Sequence, residues 1–401
     1  MKILFLSDVY FPRVNGVSTS IKVFKNDLKK LGHEVHLICP AYNEKNTDKT
    51  ITTIKSKPIF FDPEDHLMSW TELNKKIEWI KKQKFDLIHI QTPFIAHYFG
   101  KKLAKTLNVP IIETYHTSFE DYLHLYLPIL PESFARWLSR NIAKYLCNHC
   151  HGIISPSEQL KETLKNYQVT KPIKVVPTGL PDQSFKKTNK YTFRKLYNIS
   201  PTDPLLLFVG RVAHEKNIDF LLHVYKYIAS ENKSIKFLIT GEGPAFEHIQ
   251  KLIKKLNLDR SVILTGYLEA NNELLNCYAS SDLFIFASKT ETQGLVLIEA
   301  MAQGLPVVAL AENGTKSILE NNPGAIIAKD DPKEFAKTCL RLLNNKKKLS
   351  EMSVKAKKEA KQKWGSVAQT EKLIALYEEV VNDFCSDKSN NKLLATNDLS
   401  N

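Results

Sequence analysis

Short apolar runs, each followed by a stretch with helical spacing, recur in two series along this 401-residue chain. That recurrence restricts the fold more than any other feature. Lys2–Ser7 reads as a buried parallel strand. A loop with Pro12 and Gly16 follows, and Ser20–Leu31 carries helical spacing at Ile21, Phe24, Leu28 and Leu31. Gly32 ends it, and Glu34–Cys39 is the next strand. The pattern continues with strands at Asp86–Gln91, Pro110–Tyr115, Gly152–Ser155 and Lys174–Pro177, and helices at Ala96–Leu107, Phe134–Cys147 and Ser157–Asn166. The second series has strands at Leu205–Val209, Ile235–Thr240, Val262–Thr265, Leu283–Ala287 and Val307–Ala309. Its helices are Asn217–Ser230, Phe246–Leu256 and Gly294–Gln303. Strands alternating with helices predict a parallel, doubly wound sheet. The expected organisation is therefore α/β: two Rossmann-like domains, 1–185 and 200–365, facing across a cleft. A polar linker is expected over 181–200, a helix over 366–385 packing back on the first domain, and a disordered tail over 386–401.

Composition narrows the class. Hydrophobic residues make up 43% and charged residues 25%, as in soluble globular chains. The 56 Lys and Arg exceed the 43 Asp and Glu by 13, a balance that suits nucleic acid, an anionic membrane surface or a phosphorylated small molecule, or reflects a Lys-rich proteome alone; composition does not choose among these. Nucleic acid is disfavoured: no RNP-type aromatic motif, zinc knuckle or basic helix–turn–helix is visible. The apolar run at the N-terminus stops at Asp8, too soon for a signal-peptide core, and no apolar stretch is long enough to span a bilayer. The expected location is cytoplasmic, with peripheral attachment to the inner face of the cytoplasmic membrane compatible with the charge. The one cysteine cluster, Cys147-Asn148-His149-Cys150-His151, has no distant second pair to complete a zinc site and reads as a buried helix end.

Chemistry concentrates after strand ends, where α/β sites form. Ser288–Ala302 follows a strand and opens a helix, with Glu291 in the loop and Glu299 inside the helix. Gly294 lets the backbone N–H groups of the helix start approach an anion. Glu299 could accept a pair of ribose hydroxyls, although a capped helix with an apolar face would give the same pattern. Gly210-Arg211 and Lys216 follow Leu205–Val209, and two cations past a strand end suit a diphosphate. Gly241-Glu242-Gly243 follows Ile235–Thr240 but lacks the third glycine of a dinucleotide fingerprint, which disfavours an NAD-dependent oxidoreductase. In the first series, Gly16 lies in the loop after the first strand, and His116 stands at the end of Pro110–Tyr115.

Taken together, Glu291-x7-Glu299 followed by Ala-Met-Ala-x-Gly-x-Pro-Val-Val-Ala, Gly210-Arg211-x4-Lys216 and Gly241-x-Gly resemble the retaining glycosyltransferases of family four. The resemblance covers roughly residues 1–385 and implies the GT-B fold. It implies that Arg211 and Lys216 hold the leaving nucleotide diphosphate, Glu291 contacts the donor sugar, and Glu299 binds the ribose. Gly16, Gly210, Gly241, Thr292, Gly294 and Leu295 complete the nucleotide-sugar site, and His116 lies near the transferred sugar. No cofactor or metal is implied, since two cations and a helix start stabilise the leaving group. One departure is Leu310-Ala311-Glu312-Asn313-Gly314-Thr315, where many members have paired glycines and a Glu.

The acceptor falls to the first domain. His116–Tyr126 resembles a segment of bacterial members that glucosylate diacylglycerol. After it, Arg136, Arg140 and Lys144 form one basic stripe on a helix that also carries Trp137, a pattern suited to an anionic bilayer. The expected reaction moves a hexose, glucose, from UDP-glucose to a membrane lipid such as diacylglycerol. A soluble enzyme acting on a sugar, sugar phosphate or envelope polysaccharide is the alternative, and a nucleotide-sugar epimerase is a further one.

Overall fold

The computed structural model describes residues 1–42, 47–59, 62–116, 120, 131–186, 188–268 and 272–397. The chain divides into two compact units, Met1–Gly179 with Ser366–Asn401, and Leu180–Gly365.

In the first unit the strands are β1 (Lys2–Leu6), β2 (Glu34–Pro40), β3 (Ile51–Ile54), β4 (Ser56–Ile59), β5 (Asp62–Met68), β6 (Leu87–Ile90), β7 (Ile111–Thr114), β8 (Gly152–Ser155) and β9 (Ile173–Val175). Seven of them form one parallel sheet in the order β3-β2-β1-β6-β7-β8-β9. Helices cover both faces, so β6, β7 and β8 are buried throughout, including their polar residues His89, Glu113, Thr114 and Ser155, and β1 is buried from Ile3 on. One face packs Leu4, Leu6, Ile88 and Ile90 against Phe99 and Leu103. The other packs Ile3, Phe5, Ile112 and Ile154 against Phe24 and Leu28 of the helix Gly16–Lys30 and against Leu373, Leu376 and Tyr377. The last three belong to the helix Ser366–Asn397, which thus packs on the first unit. Gly152 permits that approach: a Cβ there would lie 3.1 Å from Val380. Tyr377 is fully buried, and its hydroxyl lies 2.6 Å from His89 Nδ1, while His89 Nε2 lies 2.7 Å from Thr114 Oγ1.

The second unit holds β10 (Leu205–Val209), β11 (Lys236–Thr240), β12 (Val262–Gly266), β13 (Leu283–Phe286), β14 (Val307–Ala309) and β15 (Ala325–Ile327). They form a parallel sheet in the order β12-β11-β10-β13-β14-β15. This is the doubly wound order, with its reversal between β10 and β13.

Three expectations change. The segment expected to be a linker carries a 3₁₀ turn, Asp182–Phe185, and a helix, Lys190–Leu196, capped by Asn189. Arg194, buried, anchors that helix through Ser280 O at 2.8 Å and Asp282 at 2.9 Å, so the segment is folded onto the second unit although most of its polar residues are exposed. The tail expected to be disordered from 386 is helical through Asn397. No Gly or Pro interrupts it, and Lys388 donates to Asn108 O at 2.6 Å. Finally, the hairpin β4–β5 is antiparallel and lies outside the parallel pattern.

Candidate active site

In the second unit, the loops after β10 and β13 flank the sheet's reversal point. They are stitched together: Ser288 Oγ donates to Glu215 O at 3.1 Å, and Asn217 Nδ2 donates to Ala287 O at 3.2 Å. Asn217 adopts a left-handed conformation, φ 55°, that turns the chain into the helix Ile218–Glu231. This stitching brings Lys216 Nζ onto the carboxylate of Glu291, with both side chains largely buried. The two residues expected to grip diphosphate and sugar thus hold each other.

The backbone around them is tightly packed. Gly241 has φ 132°, and a Cβ there would collide with the Gly210 carbonyl. Val212 N donates to Glu242 O at 2.8 Å and Ala245 N to Val212 O at 2.9 Å, locking the loops after β10 and β11 together beside Arg211. Gly314 packs onto the Thr292–Gln293 backbone, where a side chain would collide, and its N–H donates to Glu291 O at 2.7 Å. Asn313 Nδ2 donates to Lys289 O at 2.7 Å. The segment that departs from the family pattern therefore braces the Glu291 loop.

Gly294, with φ 92°, opens the helix Leu295–Ala302. Glu299 sits inside that helix, partly buried, and Tyr278 donates its hydroxyl to Glu299 Oε2 at 2.8 Å. Burial pushes the Glu299 carboxyl above the usual range, and the Tyr278 bond opposes that rise. Tyr278, fully buried on the helix Asn272–Ser280, was not legible as a site residue, since nothing in its spacing links it to Glu299.

In the first unit, the reversal lies between β1 and β6. Beyond these strands a pocket of about 100 Å³ is lined by Asp8, Gln91, Thr92, Thr114, His116 and, from the hairpin, His66. Asp8 is committed internally, accepting from Thr92 Oγ1 at 2.8 Å and from Ala96 N at 3.0 Å. His116 Nε2 faces Gln91 Oε1 at 3.1 Å. Burial lowers His116 to about 4, so its ring is neutral near pH 7. Gly16 opens its helix with no atom within 4 Å of a Cβ position, so backbone access, not crowding, is what it offers. Gln91 stands at a strand's C-terminal end, a positional signal that could have found it. His66 had no such signal.

The helix Glu132–Asn148 buries small side chains, Ala135, Ser139 and Ala143, and leaves Phe134, Trp137 and Tyr145 exposed. Its basic stripe is partly neutralised. Arg140 bonds Glu120 at 2.6 and 3.1 Å, Arg136 reaches the same oxygen at 3.4 Å, and Tyr167 donates to the other. Lys144 donates to Gln168. The rest of the acceptor motif, 117–119 and 121–126, lies outside the described residues. Among those described, no helix is long and apolar enough to cross a membrane. The Cys147–Cys150 cluster is buried, and Cys150 Sγ donates to Glu113, which also receives His97 Nδ1 at 2.8 Å.

Comparison with known proteins bears on the family and the fold. Residues 14–184 match the model of Glycosyltransferase Family 4, and residues 189–361 match that of Glycosyl transferases group 1. The chain is 34% identical over 318 residues to an alpha-monoglucosyldiacylglycerol synthase of Streptococcus pneumoniae, covering 77% of this chain and 71% of that one. It is 26% identical to the enzyme of the same name from Acholeplasma laidlawii, over 98% and 99% of the two chains. Solved structures with the same fold include Anabaena HepE in complex with UDP, with a TM-score of 0.75 at 16% identity over 94% of this chain and all of that one. A sucrose-phosphate synthase from Thermosynechococcus elongatus gives 0.77 at 18%, over 96% of this chain and all of that one. With two Rossmann-like domains of the GT-B fold and these relatives, the chain belongs to the family-four glycosyltransferases.

Proposed function

We propose that this glycosyltransferase moves glucose from UDP-glucose to the free hydroxyl of diacylglycerol, with retention at the anomeric carbon. The observation that carries the reading is the Lys216–Glu291 pair, held by stitched loops beside the helix start at Gly294. The names of the pneumococcal and Acholeplasma relatives support the donor sugar and the acceptor.

A cation and a carboxylate in contact are a ready-made exchange site. An incoming diphosphate takes the Lys216 ammonium, with Arg211 alongside, and frees Glu291 to accept the sugar's hydroxyls. Glu299, held by Tyr278, takes the ribose. As the bond between the anomeric carbon and the phosphate oxygen breaks, charge grows on the diphosphate. Lys216, Arg211 and the start of the Leu295–Ala302 helix stabilise it. The acceptor oxygen bonds the anomeric carbon from the face that the phosphate leaves, and its proton passes to a phosphate oxygen. In this reading side-chain cations and a helix start carry the charge, with no metal ion.

Incubation with UDP-glucose and diacylglycerol vesicles, read by mass spectrometry and NMR, tests the reading. The expected product is an α-linked monoglucosyl lipid. Lys216→Ala and Glu299→Ala should each abolish it while circular dichroism stays unchanged. A β-linked product, conversion of the donor alone to another sugar, or full turnover by either variant would overturn it.

A further inference from the structure

The pocket beyond β1, β6 and β7 contains two polar groups that the donor chemistry does not use. One is His66. Ser56 Oγ donates its single proton to Ala41 O at 2.6 Å, so in its 2.9 Å contact with His66 Nδ1 the ring must be the donor. The neutral ring therefore carries its proton on Nδ1, and Nε2 is an acceptor. The other is Gln91, which is 2% exposed. Its oxygen faces His116, and its amide Nε2 is buried with no hydrogen-bond partner. A buried donor left unpaired is destabilising, and a ligand oxygen would relieve it.

We propose that His66 and Gln91 form the subsite for the acceptor hydroxyl and select an uncharged alcohol carried on an apolar body. A hydroxyl needs one donor and one acceptor. Gln91 Nε2 donates to its oxygen, and His66 Nε2 receives its hydrogen. None of the described residues lining the pocket is Lys or Arg, and the Asp8 carboxylate is already bonded. A phosphate here would be desolvated with no cation to meet it. Beside the polar floor, Leu67 and Phe94 line the same pocket and are 41% and 44% exposed, an apolar edge suited to acyl chains.

The inference rests on the proposed acceptor chemistry, and the experiment separates the two. Initial rates are measured in mixed micelles with a diglyceride, and with phosphatidic acid as the charged competitor, while UDP binding is followed by calorimetry. His66→Ala and Gln91→Leu should each raise the acceptor KM about tenfold, the loss of one hydrogen bond in a desolvated site. The donor KM and UDP affinity should not change. His66→Gln, which retains an acceptor atom, should restore most of the acceptor affinity and controls for the brace to Ser56. No transfer by the wild type to any neutral alcohol would overturn the proposed function itself. An active wild type whose variants keep the acceptor KM, lose donor affinity equally, or are not rescued by Gln would overturn the subsite. Inhibition by phosphatidic acid at concentrations below the diglyceride KM would overturn its selectivity.

Discussion

Moderate acid should loosen the first domain well before any carboxylate is lost. Burial, with Lys25 nearby, holds His36 at about 4, and burial alone holds His116 at about 4, against an ordinary 6.5. Burial pushes His89 well below its ordinary value too, so it acts in the same direction. A group whose folded pKa is depressed binds its proton more readily in the unfolded chain. The stability it supports is intact above 6.5 and falls as pH drops toward 4. Between pH 7 and 5, each of the two histidines costs about 2 kcal/mol, or about 4 kcal/mol together. That is a large share of the roughly 5–15 kcal/mol that holds a domain folded. Paired carboxylates do not contribute in this window. Asp48, drawn down to about 2 by its bonds to Lys25 and Thr50 against the opposing effect of burial, loses its stabilisation only below the ordinary 3.8. Glu299 in the second domain has the opposite sign: its raised pKa makes protonation favour the folded state as pH falls. Urea unfolding read by tryptophan fluorescence at both pH values tests this. Trp70, Trp79 and Trp137 belong to the first domain and Trp364 to the second, so Trp364→Phe confines the signal to the first. Trp79 reports locally, its ring 4.9 Å from that of His36. The midpoint should fall by roughly 1–2 M between pH 7 and 5, and His36→Gln should remove about half of the drop. Equal midpoints at the two pH values would refute the reasoning.

Two substitutions probe how the halves of the site are held. Gly241→Ala forces a side chain against the Gly210 carbonyl at φ 132°; it should cost roughly 2–4 kcal/mol and weaken UDP binding, both measurable by urea unfolding and calorimetry. Tyr377→Phe leaves His89 Nδ1 buried without its partner and should cost about 1–3 kcal/mol in urea, part of which His89→Leu in the same chain should return.

The sheets were legible because buried parallel strands are apolar on both faces, and Leu205–Val209 or Gly152–Ser155 cannot be mistaken for much else. Helix starts were less so. The first helix begins at Gly16, four residues ahead of the expected start at Ser20, because Asn15 accepts from Ser18 N at 2.9 Å and caps it there. The hairpin β4–β5 carries Pro58 and Pro63 among polar residues and gives no clean period. Edge strand β15 has only three residues. At the site, Arg211, Lys216, Glu291 and Glu299 were visible as motifs, because each follows a strand end at fixed spacing. Their partners were not. Tyr278 reaches Glu299 across two helices, and His66 reaches the His116 pocket from a hairpin some 50 residues away in sequence. Only the fold brings them together.

The same distinction changes what should drive contact with a membrane. Read in sequence, Arg136, Arg140 and Lys144 are a stripe for anionic lipid. In the fold, Glu120 takes both arginines; burial raises its carboxyl, but the bonds from Arg140 and Tyr167 outweigh that and lower it. With Lys144, which meets only the neutral Gln168, three cations and one anion leave a net charge of +2, worth about 2 kcal/mol at a lipid surface. The exposed rings offer a comparable contribution that salt does not screen. Trp137 is 58% exposed and stacked on Phe134 at 5.7 Å, and burying its exposed half would contribute about 1–2 kcal/mol. Vesicle flotation should therefore show Trp137→Ala weakening binding by roughly tenfold on neutral and anionic vesicles alike, with added salt weakening only the binding to anionic ones. Glu120→Gln should strengthen binding to anionic vesicles several-fold by releasing Arg136 and Arg140, and should leave neutral vesicles unaffected. Binding that salt abolishes and Trp137→Ala spares would return the role to the charges.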